Sequence, residues 1–180
     1  MAEKKKHDWG FPVSVAVGIG TALILMQFCS VAVVNGNSMT DTFQDGDRLI
    51  YAKHTEIQYG DVVVCKSDNN SNILIKRVIG IEHDVIDINF STGTVYRNNK
   101  PLDEPYLKEK PFQALSESEV TYPVTVHDGC YMVMGDNRNG SLDSRSEKIG
   151  FITENNIYVK VILRYSPLNT FSTDFSGKSE

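Results

Sequence analysis

Residues 11–34 carry no charged side chain. The run reads FPVSVAVGIGTALILMQFCSVAVV and follows Lys4, Lys5 and Lys6. A bilayer core about 30 Å thick takes about 20 apolar residues as a helix, so the run is long enough to span it with some tilt. The basic flank predicts a cytoplasmic N-terminus and places the rest of the chain across the membrane. Two other structures compete for such a run. A cleaved leader has an apolar segment of only about 7–15 residues, although Ser30-Val31-Ala32 has the small-x-small form of a cleavage site. A buried core helix would not need the lysine flank. The expectation is a cytoplasmic segment 1–10, a single transmembrane helix 11–34, an extracytoplasmic domain 35–168 and a disordered tail 169–180.

Beyond residue 34 the apolar residues fall into short runs set off by turn signals. DRLIYAK follows Asp45-Gly46, DVVVCK follows Tyr59-Gly60, and TVYR runs into Asn98-Asn99. Valine, isoleucine and tyrosine dominate, and several runs alternate with period two, the pattern of half-buried strands. No amphipathic helical pattern stands out after the anchor. The fold class predicted is mainly β, an antiparallel sheet domain with a long excursion near 100–125. A net charge of −5 argues against a nucleic-acid partner, which selects for clustered Lys and Arg. The three cysteines and four histidines form no spaced ligand set, so no metal and no cofactor is expected. Cys65 and Cys130 lie in strand-like runs; they are read as buried free thiols or, outside the membrane, as a disulfide.

Three stretches carry residues capable of chemistry. Ser38 lies in GNSM, where a small-residue turn lets a hydroxyl and backbone N–H groups face one point, although most such loops are only turns. Lys76 lies in NILIKRVIGI, apolar enough to bury it; burial lowers a lysine pKa and makes it a usable base. An edge-strand lysine that discourages aggregation is the plainer alternative. Strand alternation sends Lys76 and Arg77 to opposite faces. MGDNRNGSLDSR (residues 134–145) alternates charge closely and can build a hydrogen-bonded scaffold, or it can be a solvated loop around Asn139-Gly140.

Taken together and in this order, Ser-Met after an apolar span, Lys-Arg-Val-Ile-Gly, and Gly-Asp-Asn-Arg-x-x-Ser-x-Asp-Ser-Arg resemble the type I signal peptidases. YGDVVVCK and NNKPLDEPYL (residues 98–107) extend the likeness over nearly all of the chain past the anchor. The resemblance implies a membrane-anchored serine endopeptidase of the cell membrane that removes signal peptides from exported preproteins after small-x-small residues. It makes Ser38 the nucleophile and Lys76 the general base, a Ser-Lys arrangement that needs no histidine. It gives Ser141 the task of holding the lysine nitrogen and makes Arg77, Asp136, Asp143 and Arg145 structural ion pairs near the site. Gly36 stands where some members carry a second oxyanion donor. Met39 and Phe43 would touch substrate or the membrane surface. The implied partners are signal-peptide-bearing preproteins and membrane lipid.

The chain departs from the family pattern at three places: residues 40–43 lack a proline, residues 81–84 read Ile-Glu-His-Asp, and Val159-Lys160-Val161 replaces a Gly-Lys-Ala-like run. None removes a catalytic group. They raise the alternative of a specialised paralogue with few substrates, or of a non-proteolytic assembly factor for surface proteins.

Overall fold

The computed structural model describes residues 10–40, 42–53, 55–109 and 120–176. The apolar run does not form one helix. Helix α1 covers Gly10–Phe28, and the chain then enters strand β1 at Cys29–Val33, whose partner is β2 at Arg48–Ala52. The expected span 11–34 is therefore corrected at its C-terminal end. The β-branched residues of Cys29–Val33 join a sheet rather than continue the helix. Among the described residues no helix is by itself long and apolar enough to cross a membrane. Lys4–Lys6 lie outside the described residues.

The remaining strands are β3 (Val62–Ser67), β4 (Asn70–Gly80), β5 (Val85–Asn89), β6 (Thr94–Arg97), β7 (Lys100–Pro101), β8 (Val124–Thr125), β9 (Cys130–Met134), β10 (Ile152–Thr153) and β11 (Ile157–Ser166). They form a larger sheet ordered β1-β2-β11-β3-β4-β9-β10 and a smaller one ordered β7-β6-β5-β8, with antiparallel pairing throughout. This is the mainly β, antiparallel domain read from the alternating runs. Asn98 and Asn99 both take positive φ (53° and 63°) between β6 and β7, as the Asn-Asn pair promised.

The core has three parts, and β3 belongs to two of them. Val62 and Val64 face a cluster with Leu49, Val159 and Val161, while Val63 and Cys65 face one with Val78, Ile149 and Ile152. Burial on both faces explains why β3 reads as an unbroken apolar run rather than an alternating one. The third cluster, with Ile79, Ile86, Val95, Val126 and Met132, joins the smaller sheet to β4 and β9.

Two expectations about the ends of this core change. Met39 and Phe43, assigned to substrate or membrane contact, are 2% and 0% exposed and sit in the first cluster, with Met39 also on the lining of the groove beside Ser38. The tail assigned to disorder is ordered as far as the description runs. Ser172 exchanges backbone hydrogen bonds with Arg164, and the Phe175 ring meets the Phe43 ring edge-on with centroids 4.9 Å apart. One aromatic residue in a polar tail is enough to hold it against an apolar surface. Residues 177–180 lie outside the described residues.

Phe43 is thus the keystone of the first cluster. Phe43→Ala is expected to cost about 3–5 kcal/mol in urea unfolding, whereas Leu168→Ala, at an 83% exposed position, stays within about 0.5 kcal/mol of the parent.

Candidate active site

β4 carries both halves of the site. Its pairing with β3 sets Lys76 opposite Val63 and Arg77 opposite Val62, so the two basic side chains leave the strand on opposite faces. Each is only 2% exposed. On one face the Lys76 Nζ donates to Ser38 Oγ at 2.7 Å. Burial pulls the Lys76 pKa below the ordinary lysine value; the Asp143 carboxylate pulls it back up but does not prevail. The result is a buried amine that gives up its proton more readily than an ordinary lysine, in hydrogen-bond contact with a hydroxyl.

Ser38 is fixed from both sides of its own turn. The Gly36 N–H donates to Asp45 Oδ1 at 2.8 Å, and Gly36 takes φ +95°, a conformation that glycine adopts without strain. The Ser38 carbonyl accepts from Asn137 N–H at 3.0 Å, and the Asn37 carbonyl accepts from Asn137 Nδ2 at 3.1 Å. The buried Met39 and Phe43 anchor the segment that follows. Ser38 N–H makes no hydrogen bond with any described residue.

On the other face Arg77 makes a two-pronged ion pair with Asp136, Nε to Oδ1 at 2.9 Å and Nη2 to Oδ2 at 2.6 Å. Its third nitrogen donates to the Gly60 carbonyl at 3.0 Å, and its guanidinium lies over the Tyr106 ring, 3.9 Å from the centroid. Thr42 Oγ1 donates to Asp136 as well, so this pair ties the serine loop to residues 134–146.

Those residues do form the scaffold their composition suggested. Asp143 receives Arg145 through Nε at 2.8 Å and Nη2 at 2.9 Å, and also accepts from Gly135 N–H and Ser141 Oγ at 2.9 and 2.7 Å. Burial opposes its ionisation, yet Arg145 and the other donors hold the carboxyl below its usual pKa. Arg138 pairs with Glu104 in full burial and donates to the Gly135 carbonyl at 3.0 Å. Ser141 is buried beside the site, but its hydroxyl serves Asp143; it makes no hydrogen bond to Lys76. Gly135 leaves no room for a side chain, because a Cβ there would lie 2.2 Å from Ser141 Oγ and 2.5 Å from the Ser38 carbonyl oxygen.

Sequence reading thus named Ser38, Lys76, Ser141, Arg77, Asp136, Asp143 and Arg145, and the structure gathers them around one loop. It overlooked Gly135, Glu104 and Tyr106. The last two sit in the NNKPLDEPYL stretch, and no local signal pointed to Glu104, because the two aspartates of the 134–145 stretch already balance its two arginines. All three cysteines are free. Burial pushes the Cys65 thiol up to about 12, which makes it inert. His54 lies outside the described residues. Among those residues no cluster of three or more His, Cys, Asp or Glu side chains is arranged to hold a metal ion.

The site opens into a groove of about 670 Å³. Its walls come from the two ends of the five-strand run β1-β2-β11-β3-β4: Ala32 and Val33 of β1 on one side, Ile73, Leu74 and Ile75 of β4 on the other. The strands between them also line it, through Tyr51 of β2, Val159 of β11 and Val64 of β3, so the groove runs over one face of the sheet with Ser38 and Lys76 on its lining.

An antiparallel β domain holding a serine hydroxyl on a buried amine at the edge of a groove has the parts of a serine hydrolase. A family model described as signal peptidase, peptidase S26, matches residues 7–166. The chain is 35% identical over 185 residues to signal peptidase I of Bacillus caldolyticus, covering 96% of this chain and 98% of that one. It is 36% identical to signal peptidase I of Bacillus amyloliquefaciens over 83% and 80% of the two chains, and 32% identical to signal peptidase IB of Staphylococcus aureus over 97% and 98%. A crystal structure of a signal peptidase I from Enterococcus faecalis aligns at 29% identity and a TM-score of 0.48, covering 58% of this chain and 97% of that one. The chain belongs to the S26 signal peptidase family and is a hydrolase of that kind.

The close approach at Gly135 gives a specific expectation. Gly135→Ala must displace either Ser141 or the Ser38 carbonyl, so peptide hydrolysis falls by about 10²-fold or more, the scale of a 1 Å misplacement, while the Tm drops by only a few degrees. A thermal melt beside an activity assay on the same preparation separates the two effects.

Proposed function

We propose that the chain is a membrane-anchored endopeptidase that cuts signal peptides from exported preproteins after small-x-small residues, with Ser38 as nucleophile and Lys76 as its base. The observation that carries this reading is the 2.7 Å contact between Ser38 Oγ and an amine sealed from water. In its neutral form Lys76 takes the Ser38 proton as Oγ attacks the scissile carbonyl, then returns it to the leaving amine. The Ser38 N–H, unengaged by any described residue, is the oxyanion donor. Asp143 and Asp136 are positioning groups, each neutralised by its own arginine.

A substrate segment running extended through the groove has strand edges available on both sides. β1 is the outer strand of its sheet, and the 73–75 part of β4 is paired only with β3. Main-chain pairing there leaves alternate side chains facing the groove floor, the geometry behind a small-x-small preference. Val64 and Val159 crowd that floor, which favours small residues at the cut.

Membrane attachment rests on α1. Phe11, Val13, Val17, Ile19, Leu23 and Phe28 are all more than half exposed, so the helix presents apolar side chains around its circumference that no described residue covers. Its 19 residues measure about 28 Å. The lysines before it place the N-terminus in the cytoplasm and the β domain outside. Alkaline extraction of membranes should leave the full chain in the pellet, and deletion of residues 1–28 should release it; a full chain freed by alkali alone would refute the anchor.

The catalytic reading is tested by mass spectrometry of a preprotein with an Ala-x-Ala junction. Ser38→Ala and Lys76→Met each lose about 10³-fold or more of the cleavage rate. Activity that survives in Lys76→Met would remove it as the base. The folded pKa of Lys76 lies below the 10.5 of an ordinary lysine, so activity falls as pH drops through that lowered value and levels off above it. The same sign applies to stability. Below the unfolded pKa the unfolded chain binds a proton that the folded state resists, so stability is full above about 10.4 and is lost on acidification down to the folded pKa. Lys76→Met escapes that penalty and is at least as stable as the parent at pH 7.

A further inference from the structure

We propose that Lys53 is a specificity-determining residue that favours an acidic side chain on the substrate, in the few residues before the scissile bond. The inference rests on the endopeptidase reading above and adds a selectivity that the dyad does not require.

Lys53 follows the last residue of β2, and its N–H donates to the Phe28 carbonyl at 2.9 Å. Leu49, Tyr51 and Lys53 lie two residues apart and share one face of the strand. That face grades from core to opening: Leu49 is fully buried, Tyr51 is half-buried against the same cluster, and Lys53 is half-buried on the groove wall.

The charge on that wall is unbalanced. Among the described residues Lys53 and Lys76 are the charged ones lining the groove, and no described acidic residue lines it. Lys76 is held toward its neutral form at the far end of the dyad contact. Lys53 therefore brings positive charge to the groove away from the Ser38–Lys76 contact, and no described carboxylate pairs with it. Lys160, which pairs with Ala52 in the next strand, shows the contrast: it is satisfied by Asp61 at 2.8 Å. A half-buried ammonium in a mostly apolar channel, with no counter-ion among the described residues, favours an anionic side chain that passes within reach.

Its place in the fold says which part of the substrate passes. Lys53 is bonded to the end of α1, so it marks the end of the groove nearest the anchor, and Ser38 lies beyond it. A preprotein whose apolar segment occupies the membrane enters from that end. The residues between its apolar segment and the cut run past Lys53 before reaching Ser38.

The test uses the full chain in an uncharged detergent and a set of preprotein peptides sharing one Ala-x-Ala junction. Asp, Asn or Lys is placed in turn at each of the second to sixth residues before the cut. Cleavage is measured with the parent, and affinity for the same peptides with Ser38→Ala. The expected result is one position where Asp exceeds Asn by about three- to fivefold, the scale of a partly exposed ion pair, with the ratio shrinking as salt rises. Lys53→Gln abolishes that ratio, Lys53→Arg keeps it, and Lys53→Glu turns it in favour of the Lys peptide. Equal affinity and cleavage for Asp and Asn at every position overturns the proposal, as does an Asp preference that persists in Lys53→Gln. A preference seen only in anionic lipid vesicles also overturns it and makes Lys53 a headgroup contact. Peptides that bind with the predicted ratio but are never cut would instead refute the endopeptidase reading and leave the Lys53 assignment standing.

Discussion

The site is organised around one buried amine whose pKa the fold lowers. Lys76 in water would hold its proton at any physiological pH, and a protonated ammonium cannot act as a base. The domain lowers that pKa by burying the lysine on β4, a strand held between β3 and β9. Burial alone would not suffice if the 134–146 loop brought unbalanced carboxylates with it, since a free acid nearby restores the lysine proton. Each buried acid is instead matched: Asp136 by Arg77, Glu104 by Arg138, and Asp143 by Arg145. The guanidiniums thus hold the loop together and also cancel carboxylate charge that would otherwise raise the lysine pKa.

The alternation of a single strand divides the work. Lys76 and Arg77 are sequence neighbours that never share a face. One meets Ser38, and the other holds Asp136, whose second oxygen is shared with Thr42 of the serine loop. A slip of one residue in the β3–β4 register would exchange them, sending a guanidinium to the serine and an ammonium to the ion pair. Neither would work: a guanidinium does not give up its proton, and an ammonium cannot make the two-pronged contact. The dense apolar pairing of Val62, Val63 and Val64 against β4 is what forbids that slip.

How much of this could be read in advance depends on how local each feature is. The strand runs, the Asn98-Asn99 turn and the scaffold character of residues 134–145 are written in short windows, where period and turn chemistry act directly. The burial of Met39 and Phe43 was not. Both follow an apolar span, so membrane or substrate contact was the natural reading; only the return of β11 and the tail supplies the surface that buries them. The Glu104–Arg138 pair joins residues far apart in sequence, and no local pattern announces it. Phe175 is the same case, since a polar composition says nothing about one ring finding another. The end of α1 at Phe28 was hidden for a different reason. An apolar run looks alike as helix or as strand, and only the pairing of β1 with β2 decides between them.

That early end of the helix also explains the position of the serine. If the whole run 11–34 were helical, the chain would leave it unattached, and Ser38 would ride on a free tether. Because Cys29–Val33 is already part of the sheet, the groove wall begins within a few residues of the helix. Ser38 then sits between two fixed points, β1 on one side and the buried Met39 and Phe43 on the other. A nucleophile must be held to within a fraction of an ångström of its base, and a loop achieves this only when clamped at both ends. The buried residues flanking Ser38 hold its loop in place, consistent with the 2.7 Å approach to Lys76.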